Sequence, residues 1–249
     1  MTPIIELKNV WYSIHNHIIL KDINLSIHPL DFLAIIGPNG GGKTTLIKLM
    51  LGLFIPEKGQ ISLFNELPSK NIHRVGYVPQ EIGINKSFPI SVLDIVLMGR
   101  LNRKKRKWPS IDRSDKEAAE KALKKMNMWN LRDRRIGNLS GGQRQRVYIA
   151  RALAGEPEII LFDEPTASID TKGQTEFFQI LKDMNKHTTI VLVSHDIMVL
   201  SSYVKTVACV NQTLFYHHEP ELTQEMCNQF HCPSEFLFHV PNYRFLQEH

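Results

Sequence analysis

The chain has 249 residues, 43% of them hydrophobic, and a formal charge of +5. That length and apolar content exclude a disordered chain and suit one large domain, or a core with a sub-lobe. No run approaches the ~18 apolar residues that cross a bilayer, and the first ten residues lack the basic-then-apolar order of an export signal, so a cytosolic setting is expected. Three cysteines, Cys209, Cys227 and Cys232, are too few and too late to frame a disulfide scaffold.

The charge is local. Arg100, Arg103, Lys104, Lys105, Arg106 and Lys107 supply six positive charges in one short run, and without them the balance turns from +5 to −1. A solvated loop is the simpler reading of that run, and contact with anionic lipid headgroups is the alternative. A nucleic-acid partner, which calls for a wider basic field, is not expected.

In chain order, Ile4 to Val10, Ile18 to Leu20 and Ile23 to Ile27 read as short antiparallel strands between polar turns. The apolar run Phe32 to Ile36 then leads into Gly37 to Thr44, GPNGGGKT, which fits G-x-x-x-x-G-K-[ST] in full. Glycines there let successive backbone N–H groups turn toward phosphate oxygens, and a helix from about Lys43 to Leu53 points its positive end at the same anion. Lys43 would neutralise the β- and γ-phosphates, and the Thr44 hydroxyl would ligate Mg²⁺. The chain is therefore expected to use a nucleotide.

Further strands are expected at Gly59 to Phe64 and Arg74 to Val78, the latter ending at Pro79 and Gln80. A helical section follows. Its clearest member starts at Ser114, with Glu117 completing a capping box, and sets Ala119, Ala122, Leu123 and Met126 on one face. Leu139-Ser140-Gly141-Gly142-Gln143 opens a second amphipathic helix, where Ser140 is either a plain N-cap or part of a second anion site. The run Ile159 to Phe162 delivers Asp163 and Glu164 to a strand end, where one carboxylate can hold Mg²⁺ and the next can polarise water. Strands at Thr189 to Val193 and Lys205 to Val210, with a helix from about Lys172 to Asn185, complete an alternation that implies a mainly parallel sheet with ligands at its carboxyl edge.

Taken together these segments resemble the ATP-binding cassette subunits of ABC transporters, over roughly Ile4 to Val210. The resemblance rests on the phosphate loop, Gln80 after Tyr77-Val78-Pro79, the LSGGQ at Leu139 to Gln143, Asp163-Glu164, Ala167-Ser168-Ile169-Asp170, and His195 in Ser194-His195-Asp196. It implies an α/β fold: a phosphate-loop ATPase with a RecA-like core, an antiparallel β subdomain, and an α-helical subdomain at about residues 87–154. The cassette would occupy residues 1–210 and a tail residues 211–249. It further implies that Gly37, Pro38, Asn39, Gly40, Gly41, Gly42, Lys43, Thr44 and Thr45 surround the ATP phosphates. Thr44, Gln80 and Asp163 would hold Mg²⁺, with Glu164 as general base. His195 would position the γ-phosphate and the attacking water, and Gln80 would also link the metal to a membrane partner. Two copies would pair head to tail, with Ser140 and Gly142, and Asp170 beside them, closing over the partner's ATP.

The sequence departs from that pattern at two places. Ile14 stands where the family carries an adenine-stacking aromatic, so Tyr12, two residues earlier on the same strand face, is the expected substitute if the register shifts. Gly41 replaces the commoner alanine or serine. Gly37 to Gly42, Phe88 to Arg100 and His218 to Thr223 are similar to segments of zinc- and manganese-type importer ATPases. The second of these is also similar to subunits serving ferric siderophores, haem or cobalamin. An importer implies integral membrane permease subunits, an extracytoplasmic substrate-binding protein, and a place at the cytoplasmic face of the plasma membrane. A soluble cassette ATPase is the rival class, but the chain carries neither a second cassette nor a long coiled-coil insertion. The tail residues His217, His218, Cys227, His231, Cys232 and His239 are metal-ligand types in a spacing that fits no zinc pattern, so ordinary packing is preferred for them.

Overall fold

The computed structural model describes residues 2–80, 89–101, 111–166, 171–194 and 203–217. Strands β1 (Ile5–Ile14) and β2 (His17–Ile27) form an antiparallel hairpin. His15 and Asn16 both take positive φ, 48° and 64°, the twist a two-residue hairpin loop requires. This makes the expected short strands one continuous pair: β1 runs past Val10, and β2 runs unbroken through Lys21 and Asp22. Register shifts lie on both sides of Tyr12.

Strand β3 (Phe32–Ile36) leads into helix α1 (Lys43–Met50), and β4 (Lys58–Leu63) returns to pair with β1, giving a three-stranded sheet in the order β2-β1-β4. Helix α1 ends short of the expected Leu53, because Gly52 and Leu53 turn back to the carbonyls of Leu49 and Lys48. The short helix α2 (Pro68–Asn71) and β5 (Val75–Val78) follow, and then α3 (Val92–Met98), α4 (Arg113–Lys125) and α5 (Gly141–Ala154), which pack on one another. Strand β6 (Ile159–Asp163), helix α6 (Thr171–Asn185), β7 (Thr189–Val193), β8 (Thr206–Asn211) and β9 (Thr213–His217) complete the described chain.

The second sheet has six strands in the order β5-β6-β7-β3-β8-β9, all parallel except β9. Its central strands β3, β6 and β7 are buried at every position because both faces are covered. On β3, Phe32, Ala34 and Ile36 enter the core shared with α3, α4, α5 and α6, while Leu33 and Ile35 enter the core shared with α1 and the antiparallel sheet. Strand β6 divides the same way, with Ile160 and Phe162 on one side and Ile159 and Leu161 on the other. β9 lies beyond the expected end at Val210 and extends the sheet by one antiparallel strand.

Two further expectations are corrected. Helix α4 starts at Arg113, not Ser114. Its cap is Asp112, whose carboxylate accepts from the Asp115 amide at 3.0 Å while Asp115 reaches back to the Asp112 amide, and Ser114 merely donates to Asp112. Arg100 does not belong with a solvated basic run. It is buried, with Nε 3.0 Å from Asp115 Oδ1 and Nη1 donating to the Ala154 carbonyl and to Glu156, so it ties the end of α3 to the start of α4 and the end of α5. Burial alone would raise the Asp115 carboxyl, but hydrogen bonds from the Asp112 amide and Arg100 hold it below its ordinary value. Residues 103–107 lie outside the described residues.

Candidate active site

The parallel order of β3, β6 and β5 brings three sequence segments to one edge. The loop from Gly37 to Gly42 leaves β3 beside Val210, and the Val210 carbonyl comes so close that a Cβ on Gly37 would stand 2.0 Å from it and one on Gly41 2.8 Å. Gly41, the family departure, is thus a close-approach position in this chain. Lys43 follows at the first helical position. Its Nζ donates to the carbonyls of Gly37 and Pro38, each at 2.9 Å, so the ammonium stands within the turn of the loop. No side chain among the described residues caps α1, and its first turn holds no acid, so its leading amides suit an anion. Burial pushes the Lys43 ammonium below its ordinary value, against the opposing pull of Glu164 and Asp163.

Thr44 is the first contact between loop and strand end: its Oγ1 donates to Asp163 Oδ1 at 3.1 Å. Asp163 closes β6 and is only 2% exposed. Burial raises its carboxyl, Thr44's hydrogen bond lowers it, and the neighbouring Glu164 raises it again, with a net upward shift. A buried carboxylate that is costly to ionise, beside a hydroxyl, is a donor set that would hold a hard divalent cation such as Mg²⁺. Glu164 is half-buried in a left-handed backbone conformation, φ 47°, fixed by its amide bonding the Val193 carbonyl at 3.0 Å. Gln80, exposed just past β5, donates from Nε2 to Glu164 Oε2 at 2.5 Å. Five expected residues, Lys43, Thr44, Gln80, Asp163 and Glu164, therefore meet around one point.

One residue was not singled out from sequence. Tyr77 on β5 faces Asp163, and burial together with that carboxylate pushes its phenol up to about 12. In sequence it is only an alternating strand residue, and the β5–β6 pairing is what sets it there.

Tyr12 stacks on Phe54, with ring centroids 5.2 Å apart and planes within 7°, so one of its faces is covered by the protein itself. The register irregularities in β1 flank it, and its cross-strand partner Leu20 packs against Gly42. Pro38 and Thr45 are half-buried in the loop and helix start, while Asn39 and Gly40 are exposed. Ser140 caps α5 in a box with Gln143, its hydroxyl accepting from the Gln143 amide at 3.3 Å and the Gln143 side chain accepting from the Ser140 amide at 3.0 Å. Both the N-cap and the helix-terminus readings of Ser140 are thus compatible with its place. Gly142 has open space around it. Ser140, Gly142 and Gln143 border a cavity of about 310 Å³ floored by Met126, Met128, Phe177 and Ile180. Residues 167–170, with Asp170, and His195 lie outside the described residues, as does the chain beyond His217.

A glycine-rich loop around a lysine, a threonine paired with a strand-end aspartate and an adjoining glutamate together define a phosphate-loop nucleoside triphosphatase. The model of the ABC transporter family matches residues 20–167. The zinc uptake system ATP-binding protein ZurA of Listeria innocua is 38% identical over 221 residues, covering 87% of this chain and 86% of its own length. A probable metal transport system ATP-binding protein of Chlamydia trachomatis is 40% identical over 239 residues, covering 94% of this chain and 100% of its own. Among solved structures, the dimeric form of a bacterial ABC transporter cassette superposes with a TM-score of 0.75 at 28% identity, over 88% of this chain and 100% of that one. The chain belongs to the ABC transporter family, as one of its ATP-hydrolysing subunits.

Proposed function

We propose that this ATPase drives uptake of a divalent metal ion, zinc or manganese, through integral membrane partners. The observation that carries the cargo is the likeness, over most of both chains, to proteins named for zinc uptake and metal transport. The geometry supports the chemistry. ATP lies with its phosphates against the loop of residues 37–45 and the Lys43 ammonium, and Thr44, Asp163 and Gln80 would hold Mg²⁺. Tyr12 offers the ring face turned away from Phe54 to the adenine. Glu164 takes the proton of the attacking water, a role suited to a carboxylate beside the metal site. His195 positions the γ-phosphate.

Ser140, Gly142 and Asp170 complete the site of a second copy, so that ATP is held between two identical chains paired head to tail. The chain works at the cytoplasmic face of the plasma membrane, against permease subunits that receive cargo from an extracytoplasmic binding protein. Among the described residues no helix is long and apolar enough to cross a membrane, which is compatible with peripheral attachment.

The test is ATP hydrolysis by this chain assembled with its membrane subunits in liposomes, with binding proteins loaded with zinc, manganese, an iron chelate or cobalamin. Stimulation by zinc or manganese alone is expected. Stimulation by a chelate would reassign the cargo, and failure to assemble with any membrane subunit would remove the transport reading.

A further inference from the structure

The phosphate loop is held from outside the site by the turn that joins β8 to β9. Asn211 and Thr213 pair across that turn, and Gln212 at its tip has φ 59°, a left-handed conformation costly for most side chains. The Gln212 amide donates to the Gly41 carbonyl at 3.1 Å, and its own carbonyl accepts from the Lys21 amide at 2.6 Å. One residue thus bonds both the phosphate loop and strand β2, whose Leu20 packs on Gly42. Two residues earlier, the Val210 carbonyl lies so close to Gly37 and Gly41 that neither has room for a Cβ. The Gln212 side chain is exposed, so its contribution to these contacts is made through the backbone alone.

We propose that Gln212 is a positioning residue for ATP binding, its left-handed backbone clamping Gly41 so that the loop amides converge on the phosphates. The inference rests on the reading of residues 37–44 as the nucleotide site. Because the clamp also bonds β2, whose Leu20 pairs with Tyr12 on β1, it fixes the phosphate loop and the hairpin carrying the candidate adenine contact in one frame. Binding and clamp are then coupled in both directions, and nucleotide should steady the turn as the turn steadies the loop.

The experiment uses the full chain and measures ATP affinity, melting temperature and amide exchange for wild type, Gln212→Val and Gln212→Gly. Valine resists positive φ and glycine accepts it. The valine variant should bind ATP about tenfold more weakly, the size of a left-handed backbone penalty, while the glycine variant stays near wild type. In the wild-type chain, ATP should slow exchange of the amides at 211–213. Equal affinity in valine, glycine and wild-type chains would overturn the proposal, as would equal weakening in both variants. If the valine variant does not fold, wild-type exchange decides: slowing at 211–213 supports the clamp and no change overturns it. A wild-type chain that binds no ATP would overturn the nucleotide site itself, and the clamp with it.

Discussion

Gln80 and Glu164 are joined by a 2.5 Å hydrogen bond from Nε2 to Oε2 across the ends of β5 and β6. The residue assigned to water activation is therefore held by a residue assigned to the metal and to the membrane partner. Loss of Gln80 removes this bond and leaves the Glu164 carboxylate in the site. Gln80→Ala is expected to leave basal ATP hydrolysis within about tenfold of wild type, since the general base stays in place. Its stimulation by the assembled membrane subunits should be lost. Basal and stimulated rates in liposomes check this, and stimulation intact in the variant would contradict it.

Asp163 supplies a stability prediction whose sign follows from its environment. Its carboxyl is raised above the ordinary 3.8, mainly by burial, so ionisation disfavours the folded chain. That cost is absent below 3.8 and present once pH exceeds the raised value. Asp163→Asn keeps an oxygen for the Thr44 hydroxyl and removes the charge. At pH 7 its nucleotide-free melting temperature should equal or exceed wild type, while Mg²⁺-dependent turnover falls by about 10²-fold or more. Thermal melts and Mg²⁺ titrations at pH 7 check both halves.

Tyr77 faces the same carboxylate. Removing its hydroxyl in Tyr77→Phe should leave the fold intact. The Mg²⁺ concentration for half-maximal turnover should rise about two- to tenfold, the range of one net hydrogen bond of ~0.5–1.5 kcal/mol. An unchanged Mg²⁺ requirement would separate Tyr77 from the site.

Away from the site, Arg74 and Glu158 tie the starts of β5 and β6 with two hydrogen bonds of 2.6 and 2.7 Å. The Arg74 hydrogen bond holds Glu158 below its ordinary 4.5. The stabilisation is thus present above 4.5 and fades as pH falls through the lowered value. Glu158 is about half exposed, so solvent screening limits the pair to ~0.5–1 kcal/mol. Glu158→Gln should lose that amount at pH 7 and differ little from wild type once the Glu158 carboxyl is protonated in the folded and unfolded chain alike. Denaturant melts across that range measure it.

The buried strands were legible in the sequence because β3, β6 and β7 are apolar runs with a polar residue only at the end of β6, Asp163, and at the start of β7, Thr189, and the phosphate loop because its glycines and Lys43 lie in one short stretch. What could not be read locally was set by pairing. Thr213–His217 became a strand by lying beside β8, with Phe215 left partly exposed, so it carries no buried-strand pattern. Ser114 and Asp112 are both good N-caps, and the choice fell to Asp115, which completes the box with Asp112 and also pairs with the buried Arg100. Tyr77 and the Gly41–Gln212 contact join residues far apart in sequence, and only the sheet order brings them together.

The most direct test of the proposed ATP site is sedimentation of Glu164→Gln with and without saturating ATP, paired with its turnover. A shift from the 28.7 kDa monomer to a dimer is expected when ATP is added, with hydrolysis reduced by about 10²–10⁴-fold. A chain that stays monomeric with ATP bound, or that hydrolyses ATP at a near-normal rate, would contradict it.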